Sequence, residues 1–165
     1  MKRYVLCILA FGLALGLAAC GGRSTPTPKA VCTPVPIKED AAQEGVADGA
    51  VVVYERIGGS DCIDEVWNIY PDGRIVGENG RTTLEEKLTP EEVSVLLAFI
   101  DEEGFFDLWN TEHTACRNCF TYYITVSSND QVLTIKAVDG GTDTPGAYWQ
   151  VWAEIKKLVS DFPEE

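Results

Sequence analysis

Phe120-Thr121-Tyr122-Tyr123-Ile124-Thr125-Val126-Ser127 separates two kinds of side chain. Phe120, Tyr122, Ile124 and Val126 fall on one face, and Thr121, Tyr123, Thr125 and Ser127 on the other. Successive residues of a strand point to opposite sides, so this alternation predicts a strand with one face turned to a core. Ser128-Asn129-Asp130 supplies a turn, and Gln131 to Val138 returns as the hairpin partner with Leu133, Ile135 and Ala137 on a shared face. After a loop from Asp139 to Thr144, Thr144-Pro145 opens a helix by placing a cap residue before a proline. Tyr148, Val151, Trp152, Ile155, Leu158 and Val159 mark the apolar stripe of that helix.

Working upstream, Thr89-Pro90-Glu91-Glu92 announces another helix: a threonine N-cap, proline at the first helical position and glutamate at the third, completing a capping box. Val93, Leu96, Leu97 and Ile100 then recur at helical spacing, and Gly104 stops the helix. Asp101-Glu102-Glu103 in its last turn oppose the helix dipole, so packing has to carry it. Phe105, Phe106, Leu108 and Trp109 read as an aromatic plug beneath the helix end. Before this helix, Val51 to Tyr54, Val66 to Tyr70, Arg74 to Glu78 and Thr82 to Leu88 read as strands separated by Gly58-Gly59, Pro71-Asp72-Gly73 and Asn79-Gly80. Strands joined as hairpins, with two one-sided helices, predict an α+β fold: an antiparallel sheet of about five to six strands covered on one face by two helices.

Outside this pattern the chain divides by composition. Lys2-Arg3 precedes an uncharged run from Tyr4 to Ala19, the plan of a secretory signal peptide. The run is short for a membrane span, since its length as a helix is roughly 24 Å against an apolar slab of about 30 Å. Leu17-Ala18-Ala19-Cys20 followed by Gly21 resembles the lipobox of bacterial lipoproteins. That resemblance implies cleavage before Cys20, a diacylglyceryl group on its thiol and acylation of the new amine. Two or more acyl chains anchor stably where one does not, so the expected partner of Cys20 is a lipid bilayer. An ordinary cleaved signal with a cysteine by chance at its end is the bland alternative.

The chain is therefore expected to comprise a lipoprotein signal peptide over residues 1–19, a lipidated Cys20 with a Pro/Thr-rich tether over 20–49, and one α+β domain over 50–165. Prolines at 26, 28, 34 and 36 favour extended backbone in the tether, which as a plain coil would span about 30 Å. Losing Lys2 and Arg3 with the leader takes the formal charge from -13 to -15. That sign argues against nucleic acid as a partner and against electrostatic attraction to anionic lipid.

Trp67-Asn68-Ile69-Tyr70-Pro71-Asp72-Gly73-Arg74-Ile75, Leu88-Thr89-Pro90-Glu91-Glu92 and Gly104-Phe105-Phe106-Asp107-Leu108 together resemble a domain of unknown function found in bacterial lipoproteins. The likeness covers roughly residues 50 to 162. It implies the same fold and the same envelope setting, and it brings no catalytic residue.

Chemistry-bearing residues are sparse. Cys7 goes with the leader, which leaves Cys32, Cys62, Cys116 and Cys119 beside the lipidated Cys20. An even number in an exported chain suggests two disulfides. If the starts of the strands after Cys62 and Cys119 share one end of the sheet, Cys62 can meet Cys116 or Cys119, and Cys32 the other; a Cys116–Cys119 bridge with Cys32 joined to Cys62 is the competing pattern. His113-Thr114-Ala115-Cys116-Arg117-Asn118-Cys119 also carries ligand types for a zinc site or a redox pair, without a second CxxC and with Cys119 leading straight into a strand. Asp139-Gly140-Gly141-Thr142-Asp143 is rich in oxygen but lacks the spacing of an EF-hand loop. Adjacent carboxylates such as Asp64-Glu65, Glu85-Glu86 and Glu91-Glu92 read as acidic surface and helix cap. Trp149 and Tyr123 are the expected exposed aromatic pair. No catalytic residue and no cofactor is assigned. The expected function is a membrane-anchored lipoprotein whose domain binds an envelope protein; the alternative is an envelope enzyme, metal or redox module built on His113, Cys116 and Cys119.

Overall fold

A computed structural model describes residues 44, 46–79, 82–110 and 118–159 of the chain. The residues read as a signal peptide and those read as a tether up to residue 43, with Cys20, Cys32, His113 and Cys116, lie outside the described residues. The elements run β1 (Val52–Gly58), β2 (Ile63–Ile69), β3 (Arg74–Glu78), β4 (Thr83–Lys87), α1 (Pro90–Glu102), a 3-10 turn (Phe105–Asp107), β5 (Phe120–Ser128), β6 (Gln131–Val138) and α2 (Gly146–Leu158). The strands form one antiparallel sheet in the order β4-β3-β2-β1-β5-β6. With two helices on it, this is the α+β architecture expected from the pattern of periods.

The turns follow from their residues. Gly73, at φ +88, donates its N–H to Tyr70 O at 3.0 Å, and the Arg74 N–H reaches Asp72 Oδ1 at 3.1 Å. A Cβ on Gly73 would stand 2.1 Å from the Leu88 carbonyl oxygen, so the turn needs glycine for space as well as for conformation. Asn129 and Asp130 both take positive φ, as a two-residue turn between right-twisted strands requires.

Helix α1 starts as its capping box dictates. Glu92 N–H donates to Thr89 Oγ1 at 3.2 Å, and Thr89 N–H donates to Glu92 Oε2 at 2.7 Å. The Thr89 backbone N–H, and then its hydroxyl, hold the Glu92 carboxyl below its usual range. The second helix departs from expectation. Pro145 is itself the N-cap, with no side-chain cap bond, and the helix begins at Gly146. Pro145 has ψ 146, which is extended backbone, so the helix cannot begin at the proline; Thr144 is buried and its hydroxyl finds no partner among the described residues.

Register assembles the core in rows across the sheet. One row runs Leu84, Gly77, Trp67, Tyr54, Ile124 and Ile135 through all six strands; the next runs Ile75, Ile69, Val52, Val126 and Leu133 through five. Val93, Leu96 and Ile100 of α1 and Tyr148, Val151 and Ile155 of α2 close over these rows. Trp67 spreads over its cross-strand neighbour Gly77, where a Cβ would lie 2.4 Å from the indole ring. The face turned away from both helices is not bare: Val53, Tyr123 and Thr125 there are 1%, 8% and 2% exposed.

Three expectations are corrected. Leu97 is only half-buried, since it sits at the margin of a stripe that Val93, Leu96 and Ile100 fill. Trp109 is not part of the aromatic plug but 68% exposed. The 3-10 turn drives Phe105 fully into the core; Leu108 then returns to extended backbone and carries the chain out to the sheet edge. There Asn110 donates from Nδ2 to Thr134 O at 3.0 Å and accepts the Lys136 N–H on Oδ1 at 2.7 Å. Its side-chain amide stands in for a neighbouring strand and blunts the β6 edge. Finally, the last residues assigned to the tether are not extended: Glu44, Val46 and Ala47 are helical, closed by Asp48 N–H to Glu44 O at 2.9 Å, and Gly49 at φ +93 ends them.

Replacing the fully buried Ile100 by alanine should cost about 2 to 5 kcal/mol, from lost transfer energy and a residual cavity. A urea unfolding curve reads this directly, and an unchanged midpoint would mean that α1 does not rest on the sheet.

Candidate functional site

Cys62, Cys119 and a buried ion pair lie at one end of the sheet. Gly58, the last residue of β1, stands opposite Ile63 on one side and Phe120 on the other. Cys62 and Cys119, each one residue upstream, therefore flank the end of the same central strand. Gly59 N–H donates to Cys119 O at 3.1 Å, and a Cβ on Gly58 would stand 2.6 Å from that oxygen. Gly58 at φ +103 and Cys62 at φ +55 let the chain turn tightly here. Cys62 and Cys119 each belong to a disulfide. A disulfide sulfur is not a thiolate, so Cys119 in this state is neither a zinc ligand nor a nucleophile. Among the described residues, no three His, Cys, Asp or Glu side chains come together as metal ligands.

Two residues along β1 lies a buried ion pair. Arg56 is the register partner of both Glu65 and Tyr122, so all three project from the helix-covered face. Arg56 Nη2 donates to Glu65 Oε2 at 3.0 Å, and Nε approaches Oε1 at 2.7 Å. The second contact is close but poorly aligned, so the pair is one good hydrogen bond reinforced by Coulomb attraction. The Glu65 side chain is 2% exposed, which corrects the reading of Asp64-Glu65 as solvated acidic surface, whereas that of Arg56 is 20% exposed, with its guanidinium 5.2 Å from the Phe120 ring centroid. The arginine thus forms the rim and the glutamate the floor. With its charge neutralised and its carboxylate sealed from water, Glu65 is placed to hold Arg56 and not to meet a substrate.

Aromatic rings cover the pair. Tyr122 stands edge-on to Trp149 and Trp152 at 5.9 and 5.7 Å, Trp149 to Trp152 at 5.8 Å, and Tyr148 to Trp149 at 5.2 Å. Trp149 is half-buried in this group and Tyr123 is buried on the opposite face of the sheet, so they are not an exposed pair. The strand period alone would have separated Tyr123 from Tyr122, but only the packing of α2 decides which tyrosine Trp149 meets.

Burial pushes the Tyr54 and Tyr148 hydroxyls well above the ordinary 10.0, and that of Tyr122 upward as well. For Tyr54, the Trp152 indole N–H and then Arg56 oppose the rise, and for Tyr148 the neighbouring Tyr54 adds to it. This cluster was not legible in the sequence, because its members come from β1, β2, β5 and α2. The one available signal was two tyrosines and an Arg–Glu pair at strand positions otherwise apolar.

No family model matches the chain, and no curated protein is significantly similar to it.

Two outcomes follow. Arg56→Met should cost about 3 to 5 kcal/mol by leaving Glu65 buried without its partner, and Arg56→Met with Glu65→Leu should recover most of it. Equal losses in the single and double variants, read from urea midpoints, would show that the pair is not coupled. Second, the unfolded chain loses its tyrosine protons near 10.0 while Tyr54 and Tyr148 keep theirs in the fold. The stability they contribute is full below that pH and falls as pH rises from there toward their raised values. Unfolding midpoints taken up through 10.0 should therefore decline, and the decline should flatten in a Tyr54→Phe, Tyr148→Phe variant.

Proposed function

We propose that the chain is a lipoprotein of a bacterial cell envelope, anchored through acylated Cys20, whose domain works by binding another envelope component and not by catalysis. The observation that carries this reading is Leu17-Ala18-Ala19-Cys20-Gly21 behind a basic start and a short uncharged run. Two or three acyl chains hold a protein on a bilayer without help from charge, which this acidic chain would not supply. The domain fits a binding role through the inequality of its sheet edges. Asn110 occupies the backbone of β6, while β4 at the opposite edge pairs only with β3 among the described strands. A partner in extended conformation could add there, and Glu85 and Lys87 on that strand would select its charge.

Cell fractionation of a chain carrying a photo-crosslinking residue in place of Glu85 tests both parts. With Cys20 intact, the protein should sediment with membrane at mature mass and yield a discrete adduct. Cys20→Ser should leave an uncleaved precursor or a released chain, without the adduct. Mature-mass protein still in the membrane fraction after Cys20→Ser would overturn the anchor, and the lack of any adduct from the intact protein would overturn the use of the β4 edge.

A further inference from the structure

The side of the sheet turned away from the helices is buried along its middle. Two rows cross it: Asn68, Val53, Thr125 and Thr134, and next to them Val66, Glu55, Tyr123 and Lys136. In each row the β1 and β5 residues are buried and the β2 and β6 residues half-buried, while Glu78 on β3 and Glu85 on β4 are exposed. The buried residues of α1 and α2 all belong to the core on the other face, to which neither Val53 nor Tyr123 belongs. Among the described residues, then, no helix covers this side. The footprint is two strands, or about 10 Å, wide, which is the width of a single element lying along β1 and β5.

The chain ahead of β1 has the length and the residues for this. It enters the central strand through the short helical stretch from Glu44, Gly49 at φ +93 and the buried Ala50. Upstream of Glu44, Val31, Thr33, Val35 and Ile37 alternate with Cys32, Pro34 and Pro36, and the prolines favour extended backbone. Gly21 to Ala30 holds no large aliphatic or aromatic residue. At 3.1 Å per residue, Val31 to Gln43 can span roughly 40 Å, whereas the 7 residues of β1 extend over roughly 24 Å. Charge agrees. Glu55 is 6% exposed on this face, and a carboxylate so deep is retained beside a positive charge. Lys38 is the one cation between Val31 and Glu44, and it would join Lys136 of the same row. The other stretches fit less well. Residues 111–117 follow Asn110, which is bonded to Thr134 and Lys136, so their cover would centre on the β6 edge, where Val132 is 59% exposed. Residues 160–165 carry Asp161, Glu164 and Glu165, which Glu55 would repel.

From this footprint we propose that residues 31–43 dock as an extended strap along β1 and β5 on the face opposite the helices, with Val35 and Ile37 set against Val53, Tyr123 and Thr125. The strap turns back from Glu44 and runs toward Gly58, so it carries Cys32 to the end of the sheet where Cys62 and Cys119 lie. Its prolines restrict the undocked chain, which lowers the entropy lost on docking. The folded body then begins ahead of β1, and the sheet is covered on both sides. For a chain held by acylated Cys20, the free linker shrinks to residues 21–30, about 18 Å as a coil. That last consequence rests on the anchor; the strap itself does not.

Two measurements on the full chain in detergent test the strap. With a photo-crosslinking residue in place of Ile37, irradiation should join it within one chain to the peptide holding Val53 or the one holding Tyr123; the same residue in place of Thr25 should give neither adduct. Val35→Asp with Ile37→Asp should raise hydroxyl-radical labelling of Tyr123 severalfold, while Tyr54 and Tyr148, on the helix-covered face, stay as protected as in the parent. That protection shows that the variant keeps its fold, and the adduct from position 37 decides without it. An adduct only to other peptides, or one at twice the chain mass, as a second copy on this face would give, overturns the proposal. So does Tyr123 labelling left unchanged by the two aspartates, the result expected if residues 111–117 supply the cover. Cys20→Ser should alter neither readout, so failure of the anchor and failure of the strap are told apart.

Discussion

The row Trp67–Tyr54–Ile124–Ile135 across the four strands β2, β1, β5 and β6 is the surface on which both helices rest. Each of these side chains is 0% or 1% exposed. Burying a large apolar side chain contributes roughly 1.5 to 3 kcal/mol, so a continuous row of them outweighs any single polar contact in the domain. The row exists only because antiparallel register brings same-face residues of consecutive strands opposite one another. A shift of one residue in any strand would turn its members to the other face and leave the helices nothing to cover.

Polar groups are arranged around that constraint. Glu65 occupies the same face as Trp67 two residues away, and its burial is tolerable because Arg56 reaches it from the neighbouring strand while leaving its own head near solvent. Among the described residues, most other carboxylates lie exposed on α1, on β4 and on the loops. A surface with one prevailing sign favours solubility and discourages adhesion to anionic lipid.

The sheet also treats its edges differently. β6 is closed by a single asparagine whose amide matches the spacing of a peptide group, whereas β4 is short and carries Glu85, Glu86 and Lys87. Charge and brevity protect an edge from indiscriminate pairing.

The sequence by itself determined the alternation of β5 and β6, the helical spacing of α1 and α2, the turn at Pro71-Asp72-Gly73 and the start of α1. These rest on interactions within a few residues: alternation, a glycine at positive φ, a capping box closed between Thr89 and Glu92. Tertiary structure decided which apolar residues are buried. Trp109 and Leu97 have the same hydrophobicity as residues that ended in the core, but the chain direction after the 3-10 turn and the rotation of α1 put them elsewhere. It alone decided the gathering of Tyr54, Arg56, Glu65, Tyr122, Tyr148 and Trp152, because residues nearly a hundred positions apart meet only once the sheet has set its order and α2 has closed on it. The cysteines divide along the same line. Their positions before strands were visible in the sequence, while the proximity of Cys62 and Cys119 to one end of the sheet follows from Gly58 facing both Ile63 and Phe120 across the central strand.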